Sequence, residues 1–516
     1  MRSKQILINT FYSLLSAVIM ALLSLITRRF FLQYFGVALL GYESLFSNVF
    51  SLLALSDLGI GTVITYALYQ EVANDNKEEI TLLMNLYKRF YQIVGVFIII
   101  IGIIIYFFIP YIVEGDSYQW EYVYFVYVMQ LISTLCTYFL AYRRILFTVN
   151  QKTYICVNIE TIVNLISGIV KIIAIILFRN LFIYFLAGIL NNLLSNLIIS
   201  IKFRSDYKYA CEKRILTKNY LKKRHFWGDL KNNLACRISE TIYSSTDSIL
   251  ISIFINIEQV GRYTNYMIID NYVTGILIKL LKPIQAAIGN YVYVETKEDN
   301  QNMLSMLNLL SFFMASFIAC GYCVMMQIVI RVWLGKQYQL PMLFVIFLSI
   351  NCYIRWNYYF TYMYRNTWGN FEQDRNFYVM SAFFNFIISI VFQHFWGIAG
   401  IMFGTLVGQL LFWIGRSKVV FHKILETTAL LYAKQQVLRA FLFGLELAIC
   451  NLMINIGGIY KDMFLYKIFI CIFIPNLFNL ILFKNTTEFK QLICYLGKIA
   501  GSLILNKNII KNQENR

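Results

Sequence analysis

Runs of about 20 apolar residues recur along the whole chain and narrow its options more than any motif does. A helix needs about that length to cross the roughly 30 Å hydrocarbon core of a bilayer, where backbone polar groups must be satisfied within the segment. The runs predict six spans in the first 200 residues: Ile6–Thr27, Leu40–Tyr66, Phe90–Val113, Tyr122–Tyr142, Tyr154–Phe178 and Leu181–Ser200. Six more are expected at Leu234–Ile255, Tyr263–Tyr293, Met303–Ile330, Pro341–Tyr364, Phe377–Phe395 and Ile398–Gly415, and two at Val437–Ile456 and Phe464–Phe483. Composition agrees: 59% of residues are hydrophobic and 14% charged, against about 45–50% and about 25% in soluble domains. The fold class expected is an all-α polytopic membrane protein with about 14 transmembrane helices.

The net charge of +18 would suggest nucleic acid in a soluble protein. With the N-terminus in the cytoplasm, however, most of the Lys and Arg fall on alternate loops on that side, as the positive-inside rule requires. The linker between the sixth and seventh spans alone carries Lys202, Arg204, Lys208, Lys213, Arg214, Lys218, Lys222, Lys223, Arg224 and Lys231. The charge therefore reads as topology and contact with anionic membrane lipids at the cytoplasmic face, not nucleic-acid binding. Both termini are expected in the cytoplasm. Beyond the last span, Phe489, Leu492, Ile493, Leu496, Ile499 and Leu503 recur at helical spacing, which predicts an amphipathic surface helix.

No cofactor, metal or catalytic residue is expected. Cys320 and Cys323 form a CxxC inside an apolar run without further ligands beside it, and His225, His394 and His422 are isolated. Phosphate loops and nucleophile elbows are missing. The loops expected outside are short, which weighs against a membrane-embedded glycosyltransferase or polymerase.

Two matches point to a duplication. Phe35-Gly-Val-Ala-Leu-Leu-Gly41 resembles Ile255-Asn-Ile-Glu-Gln-Val-Gly261, and Asn164-Leu-Ile-Ser-Gly-Ile-Val170 resembles Asn385-Phe-Ile-Ile-Ser-Ile-Val391, at offsets of 220 and 221 residues. Six spans separate equivalent points, so the halves share one orientation and imply a two-fold axis along the membrane normal. The expected organisation is an N-lobe (1–200), a basic linker (201–233), a C-lobe (234–422), spans thirteen and fourteen (423–484) and the tail (485–516).

Charges inside spans are costly and usually face an aqueous cavity or a bundle interior. At 100° per residue, polar side chains gather within roughly 120° on several spans. Span one aligns Ser13, Ser24 and Arg28; span two aligns Glu43, Ser47 and Asp57; span five aligns Glu160, Asn164, Ser167 and Lys171; span seven aligns Arg237, Glu240 and Asp247; span eight aligns Lys282 with Lys279 at its margin. Arg355 lies in span ten. Candidate substrate-binding cations are Arg28, Lys171, Arg237, Lys279, Lys282 and Arg355, and candidate ion-coupling or cavity acids are Asp57, Glu160, Glu240 and Asp247.

At these residues the chain resembles the polysaccharide-transporter family, the Wzx-type flippases of the larger group that includes lipid II flippases and multidrug exporters. The resemblance rests on Phe35-Gly-Val-Ala-Leu-Leu-Gly-Tyr42, Leu52-Leu-Ala-Leu-Ser-Asp-Leu-Gly-Ile-Gly61, Thr246-Asp-Ser-Ile-Leu-Ile-Ser252 with Val260-Gly-Arg-Tyr-Thr-Asn-Tyr266, and Gly397-Ile-Ala-Gly-Ile-Met-Phe-Gly-Thr405. It implies alternating access by two six-helix lobes. The implied substrate is an undecaprenyl-pyrophosphate-linked oligosaccharide, such as an O-antigen or capsule repeat unit, moved to the outer leaflet of the bacterial cytoplasmic membrane. It implies cationic cavity residues for the pyrophosphate, a place that Arg28, Lys282 and Arg355 suit, and polysaccharide polymerase and other assembly proteins as partners. A drug–cation antiporter of the same superfamily is the alternative, and the deep cations weigh against it.

Overall fold

The computed structural model describes residues 2–53, 60–113, 120–212, 226–368, 375–458 and 463–495, with side chains omitted at some of these positions. Asp57 lies outside the described residues, and the side chains of Arg237, Glu240 and Lys282 are not described.

Among the described residues the chain is helical throughout and contains no strand. The first seven helices are α1 (Arg2–Leu53), α2 (Ile60–Ala73), α3 (Lys77–Ile112), α4 (Trp120–Ala141), α5 (Arg144–Val149), α6 (Thr153–Ile176) and α7 (Leu181–Asp206). Then come α8 (Phe226–Phe254), α9 (Ile257–Val294), α10 (Lys297–Trp333), α11 (Met342–Asn357), α12 (Tyr359–Trp368) and α13 (Arg375–Trp396). The last named helices are α14 (Ile398–Val419), α15 (Leu430–Ile456) and α16 (Phe464–Phe483). A short helix follows at 487–495. There Phe489 lies 6.1 Å from the Phe313 ring, and Leu492 is buried. The described part of the tail thus packs on α10; Leu496, Ile499 and Leu503 lie outside the described residues.

Among the described residues, ten helices are long and apolar enough to cross a membrane. Their outward surfaces explain why water is the wrong solvent: Phe107, Tyr111, Leu177, Phe395, Leu465 and Ile481 are largely exposed, and exposed apolar area on this scale marks contact with lipid or a partner. The expected boundaries differ from the observed ones in three places. The first expected span and the start of the second lie within the single continuous run of α1, broken only at Gly36, whose φ of 83° and ψ of 176° are non-helical. Glycine reaches that conformation without a Cβ penalty. The second span is not one helix from Leu40 to Tyr66: α1 ends at Leu53 and α2 begins at Ile60. The tenth is two helices, with Tyr358 between α11 and α12. Helix α9 is not among the ten, because Asn265, Asp270, Asn271 and Lys279 lower its hydropathy.

The described residues fall into two compact units. The first comprises Met1–Pro283, Ile330–Leu340 and Tyr378–Thr405, and the second Ile284–Val329, Pro341–Phe377 and Leu406–Arg516. In the first unit the two duplicated segments meet. A Cβ on Gly41 would lie 2.2 Å from the Ile257 carbonyl oxygen, and a Cβ on Gly261 would lie 2.3 Å from that of Val37. Adding 220 to one contact gives the other: Gly41 becomes Gly261 and Val37 becomes Ile257. A local two-fold axis produces this exchange, in which residue i meets j and the equivalent of j meets the equivalent of i. The sequence repeat is thus also a spatial one at this point.

Candidate functional site

The first unit contains a half-open polar cavity of about 280 Å³ bounded by α1, α6, α7 and α9. Local sequence explains its lining. On α1, Ser24, Thr27 and Arg28 share a face by three-to-four spacing; on α6, Asn164, Ser167, Gly168 and Lys171 do the same; on α7, Tyr184 and Asn191 are two turns apart. Glu43 enters from the part of α1 beyond the Gly36 break, and Ile268 and Tyr272 come from α9. Gly168 allows α6 to lie close on α1, since a Cβ there would come within 2.2 Å of Leu23 Cδ2. Gly188 clears space for the lysine: its Cβ would be 3.3 Å from Lys171 Nζ.

Three ionic groups face this cavity, two cations and one carboxylate; Glu43 interacts electrostatically with both Arg28 and Lys171, which leaves one positive charge in excess. The Tyr184 hydroxyl donates to the Glu43 carboxylate at 3.2 Å and 3.4 Å. The Lys171 ammonium lies 4.8 Å from the centre of the Tyr184 ring, a cation–π contact. Among the described residues Lys171 has no carboxylate within 4.0 Å and no hydrogen-bond acceptor. Arg28 donates through Nε to Asn265 Oδ1 at 2.9 Å. Its Nη2 and the Asn265 Nδ2 are buried donors without an acceptor among the described residues. Asn191 donates to Asn164 Oδ1 at 2.7 Å, leaving its own Oδ1 as a buried acceptor without a donor. Buried polar groups are almost always satisfied. Two cations with a spare donor beside them can hydrogen-bond an anion with several oxygens, and a free amide oxygen can accept from a hydroxyl.

Of the sequence-based candidates, Arg28 and Lys171 meet in this cavity. Lys279 belongs to the same unit and donates to the Ser13 carbonyl at 2.9 Å. Glu160 forms an ion pair with Arg144, whose Nη2 also donates to Asn196 at 2.8 Å. Asp247 is 4% exposed and accepts from Tyr263 at 3.1 Å and from Thr405 at 3.0 Å, tying α8 to α9 and α14. Arg355 sits half-buried on the last turn of α11, in the second unit. Asp247→Ala removes the acceptor that two helices share. It is expected to cost about 1.5–3 kcal/mol, as for a hydrogen bond to a charged group, read as a lower unfolding temperature in detergent; an unchanged temperature contradicts this tie.

Glu43, Tyr184, Asn191, Asn265 and Tyr272 were not among the sequence candidates. Glu43 lay on a polar stripe but near an expected span end. Asn191 had a signal, an Asn-Asn pair in the middle of an apolar run. Tyr184 and Tyr272 had none, since 38 tyrosines are spread through the chain and membrane-interface tyrosines are common.

No family model matches the sequence, and no curated protein matches it. Solved structures do match in fold. The lipid II flippase MurJ in an inward closed conformation is 16% identical, with a TM-score of 0.66 over 92% of this chain and 99% of that one. The Vibrio cholerae MATE transporter VcmN is 14% identical, with a TM-score of 0.56 over 81% of this chain and 96% of its own. A multidrug resistance MATE family transporter of the MOP superfamily in an inward-facing conformation is 12% identical, with a TM-score of 0.54 over 80% and 98%. At these identities the likeness is one of fold, an all-α polytopic membrane architecture.

Proposed function

We propose that this chain is a flippase that moves an undecaprenyl-pyrophosphate-linked oligosaccharide from the inner to the outer leaflet of the bacterial cytoplasmic membrane by alternating access, serving surface polysaccharide assembly. The reading rests on one observation above all: a polar cavity inside a membrane protein holds two cations, Lys171 and Arg28, against a single carboxylate, Glu43, and leaves a terminal nitrogen of Arg28 unpaired. The fold shared with a lipid II flippase supports it. Arg28 and Lys171 bind the pyrophosphate, offsetting the loss of its hydration. Asn191 and Tyr272 contact the sugar, and the polyprenyl tail stays in lipid. The chain does no bond chemistry. A negative-inside potential favours outward movement of each negative charge by about 2.3 kcal/mol per 100 mV, so two phosphate charges gain about 4.6 kcal/mol.

The balance of two cations to one carboxylate disfavours the rival reading, a cation antiporter. Purified protein in vesicles discriminates the two. A fluorescent polyprenyl-pyrophosphate glycan, a polyprenyl-linked neutral glycan and a cationic dye are presented at one face, and their arrival at the other is followed. Selective movement of the pyrophosphate lipid, faster under a potential negative on the side of loading, is the expected result. Movement of the dye alone, or of neutral and anionic lipids equally, rejects the proposal.

A further inference from the structure

The second unit contains a carboxyl group that the cavity of the first does not use. Glu446, in the middle of α15, is 0% exposed, and neither a cation nor a salt bridge lies within 4.0 Å of it among the described residues. It sits on a buried stripe that runs Tyr432, Gln436, Arg439, Phe443, Glu446 and Cys450 along one face of the helix. The cation of that stripe does not serve it. Arg439, two turns away, donates to the Asn308 carbonyl at 3.1 Å. At the intervening Phe443, a stacked pair with Tyr353, centroids 4.2 Å apart, fills the space.

The groups that face Glu446 are uncharged. Ser316, Cys320 and Asn479 surround the carboxyl. Cys320 Sγ lies 3.9 Å from Oε2, a weak thiol contact. Asn479 Nδ2 donates to Ser316 Oγ at 2.9 Å. That leaves two buried oxygens, Glu446 Oε1 and Asn479 Oδ1, both acceptors and both without a donor among the described residues. Asn479 is 1% exposed. The other titratable groups nearby are Tyr353 on α11, Cys450 one turn along α15 and Cys471 on α16. None of them supplies a positive charge.

A carboxylate buried without a cation carries a desolvation penalty of several kcal/mol or more. One proton on the carboxyl removes the charge and with it that penalty. Sodium fits less well: a hard cation seeks several oxygen ligands, and one flank of this site is a thiol.

We infer that Glu446 is a proton-binding site of the transporter, holding the proton on its buried carboxyl in this conformation and releasing it to water when α15 and α16 separate from α10. The released proton leaves the carboxyl as a carboxylate, and no other bond changes. This inference rests on the transport reading for its purpose but not for its first test.

Infrared difference spectra of the full chain in lipid, taken across a pH step, are expected to contain the C=O stretch of a protonated carboxyl that vanishes at alkaline pH. Glu446→Gln is expected to remove that band, and Asn479→Ala, which takes away a neighbouring amide, to shift it. In vesicles, Glu446→Gln is expected to lose any response of flipping to a proton gradient while movement under a membrane potential persists. A band unaltered in both variants overturns the proposal whatever the substrate proves to be. Disappearance of the band on adding sodium at fixed pH overturns it too, by making the site a sodium site. If Glu446→Gln does not fold, the Asn479→Ala band decides: an unshifted band rejects the assignment.

Discussion

Removing both cavity cations, Arg28→Gln with Lys171→Gln, should bring flipping of a pyrophosphate-linked lipid down to the rate of vesicles without protein. Each cation offers the substrate a charge-assisted hydrogen bond worth about 1.5–3 kcal/mol. Losing two therefore costs about 3–6 kcal/mol, roughly a 10²- to 10⁴-fold loss. Lys171→Gln is the cleaner single change, because its ammonium holds no hydrogen bond that the fold requires. Arg28→Gln also ends the bond to Asn265 and should lower stability slightly. Lys171→Arg keeps the charge and should retain most of the activity. The control is the unfolding temperature, which must show the double variant folded, since the two changes take both cations from beside Glu43. Undiminished flipping by a folded double variant would remove this cavity from the mechanism.

The glycine pair should give the largest loss of stability. Gly41→Leu or Gly261→Leu drives a side chain into a backbone carbonyl that cannot rotate away. Overpacking typically costs about 1–3 kcal/mol when side chains can adjust. Here the obstacle is main chain, so each variant should lose at least that much and the pair should fail to yield monodisperse protein. Even alanine at either site should lower the unfolding temperature measurably. Gly444→Ala is the matched control on α15, where a Cβ meets nothing within 4 Å; it should be neutral or slightly stabilising, since alanine is the better helix former by about 0.5–1 kcal/mol. If Gly41→Leu and Gly444→Ala behave alike, the close crossing of the duplicated segments is not a feature of the folded protein.

The sequence determined the membrane as solvent, the helical class and most helix positions, because a bilayer leaves an apolar 20-residue segment few alternatives. The last expected span, Phe464–Phe483, coincides with α16 at both ends. Polar stripes also located Arg28, Lys171, Asn164 and Ser167 on the faces that line the cavity, since helical spacing fixes a face without reference to neighbours. Spacing does not say which faces meet. Lys171 and Glu160 lie on one side of one helix, yet Lys171 reaches the cavity while Glu160 is paired with Arg144. Asp247 reads like a cavity acid in sequence, but two hydroxyls from other helices enclose it. Tertiary structure alone decided these cases, because whether an intramembrane charge is held by protein or left for a ligand depends on side chains brought there from far along the chain: Asn265 to Arg28, Tyr184 to Glu43 and Asn479 to the carboxyl of Glu446.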